Sequence, residues 1–220
     1  MRGHLKIAGL LSSAVLLAGC ASVLPQPTPE ASSACVAETP GASDSAVVTP
    51  AELCAIDGQA WSDSVFTTVI NTPGWGETSA PCDAARQEAF YGAWQDAQPA
   101  VESLELRSDS SEQSHLLGAV GVAVVASGDP AAATALIDAE VAACLVDGSA
   151  QSRDDRGVWH GVRGPASGDT GEQLSWWASA SGSWVLVQAY EDETLSTADA
   201  AALEQGLDTL LDTQAELLGL

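Results

Sequence analysis

The stretch QLSWWASASGSWVLVQAY, residues 173–190, places two apolar runs rich in aromatic and β-branched residues on either side of Ala180-Ser181-Gly182. A short, glycine-containing connection of this kind folds the chain back as a hairpin, so 173–179 and 183–190 read as antiparallel strands. A third strand candidate, 158–163, precedes them across Gly164-Pro165-Ala166-Ser167-Gly168, a second hairpin-like connection. Strand side chains alternate, so the adjacent Trp176 and Trp177 must point to opposite faces.

Downstream, residues 196–218 make the best helix of the chain. Ser196 or Thr197 caps it, Asp199 sits in its first turn, and Leu203, Leu207, Leu210, Leu211 and Leu218 form one apolar stripe. Upstream, Asp129 caps a helix that Asp147-Gly148 closes. Its buried face is Leu136, Ile137, Val141, Cys144 and Leu145, with Glu140 excluded. Residues 115–126 carry Val120, Val122, Val124 and Val125, a run short and β-branched enough for a central strand. Residues 101–108 show a weaker alternation. A helix opens at 79–83 and runs to about Gln98, where Pro99 breaks it, with Cys82, Ala85, Ala89, Phe90 and Ala93 near one face. Residues 61–70 are ambiguous between helix and strand. Thr49 caps a short helix that starts at Pro50 and ends at Gly58. Strands and helices mix without regular βαβ alternation. The expected fold is therefore α+β, a mostly antiparallel twisted sheet packed with helices in one domain stapled by disulfides.

Before this domain, residues 21–48 are rich in Pro, Ser, Thr, Ala and acid and bury too little to repay ordering. The expected boundaries are a signal peptide at 1–19, a tether at 20–48 and a globular domain at 49–220. Arg2 and Lys6, the apolar residues 7–17 and then Leu17-Ala18-Gly19-Cys20 resemble the bacterial lipobox, in which the cysteine is acylated and the signal removed ahead of it. Cys20 is thus a tether to the extracytoplasmic face of the cell membrane. Two or three acyl chains hold durably where one does not.

The formal net charge is -23, from 7 basic and 30 acidic residues. Without Arg2 and Lys6, the remaining basic residues are all arginines. So acidic a surface repels phosphate backbones and anionic headgroups, which argues against nucleic acid as a partner and against adhesion by a basic patch. Cations and basic peptides remain allowed. Once Cys20 is acylated, four cysteines are left, an even number that suggests disulfides in an exported chain. Three pairings are possible. Cys35 and Cys54 are neighbours across the tether boundary and Cys82 and Cys144 lie in two predicted helices, so the expected pairs are Cys35 with Cys54 and Cys82 with Cys144. Zinc would need closer ligand pairs, and the histidines are scattered.

Pro81-Cys82 opening a helix with Tyr91-Gly92 near its end, the strand 115–126, a helix ending in Val141-Ala142-Ala143-Cys144, and then strands and a terminal amphipathic helix together resemble the PknH-like sensor domain family, the extracellular domain of a mycobacterial receptor serine/threonine kinase. Related domains occur as free-standing actinobacterial lipoproteins, which suits Cys20. The resemblance covers roughly 49–220 and implies a bridge from Cys82 to Cys144. It also implies an extracellular ligand bound in a cleft on the sheet, and, without a kinase domain, signalling through a partner. The family's further bridge at the terminal strands has no counterpart here, because no cysteine lies around Trp176 and Trp184.

No catalytic motif stands out. Asp169-Thr170-Gly171 matches the core of aspartic proteases but has no second copy and reads as a hairpin turn. His160 lacks a recognisable nucleophile elbow. Asp109, Glu112, Asp154 and Asp155 lack calcium-loop spacing. Seven tryptophans against two tyrosines and two phenylalanines are a stronger signal. Trp159, Trp176, Trp177 and Trp184 fall in the late strands, where an aromatic shelf would suit a small molecule, glycan or peptide. A helix covering that face would equally account for them. The expectation is a non-enzymatic, lipid-anchored ligand-binding or sensor-like domain with these tryptophans as contact area and no cofactor or metal. A cell-envelope hydrolase and a structural envelope protein without a cleft are the alternatives.

Overall fold

The computed structural model describes residues 46–64, 80–95, 97–108, 114–145, 151–165, 171–191 and 194–220. In chain order the elements are α1 (Pro50–Asp57), β1 (Ala60–Asp63), α2 (Ala80–Ala89), β2 (Ala100–Arg107), β3 (Leu116–Ala126), α3 (Pro130–Cys144), β4 (Ser152–Arg153), β5 (His160–Pro165), β6 (Glu172–Ala180), β7 (Ser183–Glu191) and α4 (Thr197–Leu218). The strands form one sheet in the order β1-β2-β3-β7-β6-β5-β4, and all neighbours pair antiparallel. The α+β expectation is met.

Alternation sorts the interior strands between two cores. On one face Val120, Val122, Val124, Leu174, Trp176, Val185 and Val187 pack under Leu203, Leu207, Leu210 and Leu211 of α4, with Leu53 of α1 and Trp61. On the other, Val125, Trp177, Trp184 and Leu186 pack under Ile137 and Val141 of α3, and Trp94 packs edge-on to Trp184 at 4.6 Å. Helices therefore cover the sheet on both sides. α4 lies close to its face at Gly206, where a Cβ would run into Leu106 and Trp61.

Cys82 and Cys144 are bridged, tying α2 to α3. Cys54 is disulfide-bonded as well, whereas Cys35, the partner expected for it, lies outside the described residues. So do Cys20, Asp169 and Thr170. The α1 cap is a full capping box: Thr49 Oγ1 accepts from the Glu52 N–H, and the Glu52 carboxylate accepts from the Thr49 N–H at 2.8 Å. Gly58 closes the helix in the left-handed region, at φ 71°.

Three expectations need correction. The core begins before residue 49, since Val47 and Val48 are buried. The Val48 N–H donates to Gln214 Oε1 at 3.0 Å, and Gln214 Nε2 donates to the Ala46 carbonyl at 2.8 Å. α2 passes into a π-helical turn, Phe90–Trp94. The extra residue in its i→i+5 turn rotates the helix face, so Phe90 is 45% exposed while Ala93 and Trp94 turn toward the core. Glu140 belongs to the buried face of α3, because α2 brings Arg86 against it at 3.5 Å.

Candidate functional site

The late-strand tryptophans are the first test of a site on the sheet. Trp176, Trp177 and Trp184 are fully buried and Trp159 is 3% exposed, so none forms an open shelf. Trp176 lies under α4 and donates its indole N–H to the Asp154 carbonyl at 2.9 Å. All four rings are packed in the two cores, because both faces of the sheet carry helices, and of the four only Trp159 borders the groove beside α4.

What the sheet side chains do instead is position a turn. Gly161 pairs with Trp176 across β5 and β6, and its N–H donates to Asp155 Oδ1 at 2.8 Å. A Cβ at Gly161 would run into the Asp154 carbonyl and the Trp176 ring, so glycine is what lets residues 154–159 lie down here. Arg156 and Trp159 exchange backbone hydrogen bonds at 3.0 and 2.9 Å around Gly157, at φ 58°.

Arg156 then reaches α4. Its guanidinium lies 4.6 Å over the Trp176 ring and donates to Glu204 at 2.7 Å, Asp208 at 2.8 Å and Asp154 at 3.1 Å. Arg163 donates to the other Glu204 oxygen at 2.7 Å and to Glu172 at 3.1 Å. Burial pushes the Glu204 carboxyl up, but the hydrogen bonds from Arg163 and Arg156 outweigh it and hold the group below its ordinary range. Burial lowers Arg156 and Arg163, and their bonds to Glu204 more than restore them. Arg86, Arg107 and Arg153 also pair with carboxylates, at 3.5, 2.9 and 3.8 Å. Each arginine of the described residues is thus engaged within the chain.

Between this turn and the last turns of α4 lies a groove of about 440 Å³. Asp208, Asp212 and Glu216 recur at helical spacing along one wall, and Val158, Leu211 and Ala215 supply apolar surface. Val158 is 53% exposed. A concave, partly apolar surface with charged groups at one side can hold a small molecule or a short chain segment.

Two polar constellations lie elsewhere. Ser108 Oγ and His115 Nδ1 are 2.9 Å apart, and His115 Nε2 is 3.3 Å from Asp199 Oδ2. Ser108 Oγ also accepts the His115 backbone N–H at 3.1 Å, and the imidazole is half exposed. This geometry clamps the β2–β3 hairpin to the start of α4. His160 Nδ1 lies 3.1 Å from Asp138 Oδ1, with its ring stacked near Trp177. Among the described residues no group of three or more His, Cys, Asp or Glu is arranged to hold a metal ion. The Arg156–Glu204 network escaped sequence reading because its partners are 48 residues apart. The i, i+4 spacing of Asp208, Asp212 and Glu216 is legible in the sequence, but the turn that faces it across the groove is not.

No family model matches the chain, and no curated protein matches it. Among solved structures it is similar to the extracellular domain of PknH from Mycobacterium tuberculosis, with a TM-score of 0.44 and 13% sequence identity over 78% of this chain and 93% of that one.

Proposed function

We propose that this chain is an exported, lipid-tethered, non-enzymatic binding domain of sensor-like type, and that it takes its ligand in the groove between α4 and the 156–159 turn. The groove is the observation that carries the reading, since the sheet faces are occupied by helices. Export is supported by the bridge between Cys82 and Cys144, a bond that persists in oxidising compartments. The lipobox-like residues 17–20 support anchoring through Cys20 at the extracytoplasmic face. Acidity keeps such a domain soluble beside an anionic envelope.

Expression of the full chain in a bacterium fed labelled palmitate tests the tether. Label in the membrane fraction, lost in Cys20→Ser, is expected; an unlabelled product released to the medium would remove the anchor. A thermal-shift screen of the full chain tests the groove: a stabilising ligand should lose its effect in Val158→Asp, and ligands unaffected by that change would place recognition elsewhere.

An envelope hydrolase is the second reading, favoured by His160 meeting Asp138 and by the Ser108, His115 and Asp199 contacts. Covalent labelling by a fluorophosphonate, abolished in His115→Ala, would favour it.

A further inference from the structure

We infer that the α4 groove is a site for a basic peptide segment, which lays Lys or Arg side chains along the acidic wall and an apolar side chain over Val158, Leu211 and Ala215. This rests on reading the groove as the binding surface. The wall is electrostatically unfavourable to the protein by itself. Asp208, Asp212 and Glu216 follow one another at i, i+4 spacing, where like charges destabilise a helix. They also occupy the C-terminal half of α4, the negative end of the helix dipole, and the last turn carries no basic residue. Arg156 answers Asp208 at 2.8 Å, but among the described residues no basic side chain pairs with Asp212 or Glu216. A local rule broken in this way, in the wall of a groove, marks a surface shaped for an outside partner of opposite charge.

Charge complementarity selects a cation, and the rest of the groove selects a peptide over a free amine. The apolar floor needs an apolar body. The buried Trp159 borders this floor and adds its ring to the apolar side of the groove. A peptide supplies that body as a whole apolar side chain between its cationic residues, whereas a polyamine offers only short methylene runs between charges. The groove volume falls in the range of roughly 300–1,000 Å³ typical of small-ligand sites, which suits a short segment.

Titration calorimetry of the full chain at physiological salt tests this with three probes: acetyl-Lys-Leu-Lys-amide, its glutamine counterpart acetyl-Gln-Leu-Gln-amide, and spermidine. The lysine peptide should bind best. Asp212→Asn with Glu216→Gln should weaken it about fivefold, as expected for two exposed ion pairs. Asp83→Asn with Glu88→Gln, the same charge change on α2, should weaken it less than about twofold. The groove substitutions relieve repulsion, so folding is retained. Equal binding of the glutamine peptide, still sensitive to Val158→Asp, would overturn the cationic class and leave the groove as a binding surface. Equal binding of spermidine would overturn the peptide. Equal losses in the two double variants would overturn the groove together with its ligand.

Discussion

Gly161→Ala is the sharpest test of how the fold builds the site. The added methyl meets the Asp154 carbonyl carbon and oxygen and the Trp176 ring, none of which is the free end of a flexible side chain. Relief requires the 154–159 turn to lift or β5 to separate from β6, where Gly161 and Trp176 are register partners. Overpacking of a core costs about 1–3 kcal/mol, and a clash with backbone belongs at the upper end, about 3 kcal/mol. With a urea slope of about 2 kcal/mol per molar, the unfolding midpoint falls by about 1.5 M. Gly128→Ala is the control: nothing lies within 4 Å of its Cβ position, so the change should be neutral or stabilise by up to about 1 kcal/mol. Lifting the turn also carries Arg156 off Glu204 and Asp208 and opens the groove, so near-ultraviolet circular dichroism from Trp159 and Trp176 should change in Gly161→Ala alone. A midpoint unchanged within about 0.3 M would refute the close approach of the turn to β5.

Replacing Cys82 and Cys144 together by alanine removes a cross-link of sequence separation 62. The loss should be about 4 kcal/mol by chain entropy, read as a lower denaturant midpoint. Gln214→Ala leaves the buried Val48 N–H without its acceptor and should cost about 1–3 kcal/mol, with hydrogen exchange at Val48 speeding up more than in α3. Glu204 is held low, so its stabilisation is present above about pH 4 and is lost as pH falls through its depressed folded value. In Glu204→Gln, acid unfolding should lose that component. Burial, and then the neighbouring Asp63, raise Glu102, so its contribution is present below about pH 4 and lost as pH rises through the folded value. Glu102→Gln should therefore raise the midpoint at neutral pH and leave it unchanged near about pH 3.

Local signals carried the fold. Ala180-Ser181-Gly182 fixed the β6–β7 hairpin, and the leucine stripe fixed which face of α4 is buried. Capping chemistry fixed the start of α1, α3 and α4, where Thr49, Asp129 and Ser196 each accept a backbone N–H. What the residues could not announce was how much of the sheet would be covered. Opposed tryptophans at 176 and 177 require two faces, and only the placement of α3 and α4 decides that both are closed. Glu140 reads as a surface residue until α2 supplies Arg86. Val47 and Val48 read as tether until Gln214, 166 residues beyond Val48, satisfies the backbone there. The groove has the same character, since its walls come from a turn and a helix distant in sequence that Arg156 and Trp159 bring together.

Amide shift mapping of the full chain with acetyl-Lys-Leu-Lys-amide tests the central claim most directly. Binding in the groove predicts saturable shifts at Gly157, Val158, Leu211, Asp212 and Glu216, with Trp177 and Trp184 unmoved in the opposite core. Shifts centred on α2 and α3, or spread evenly over the acidic surface, would contradict it.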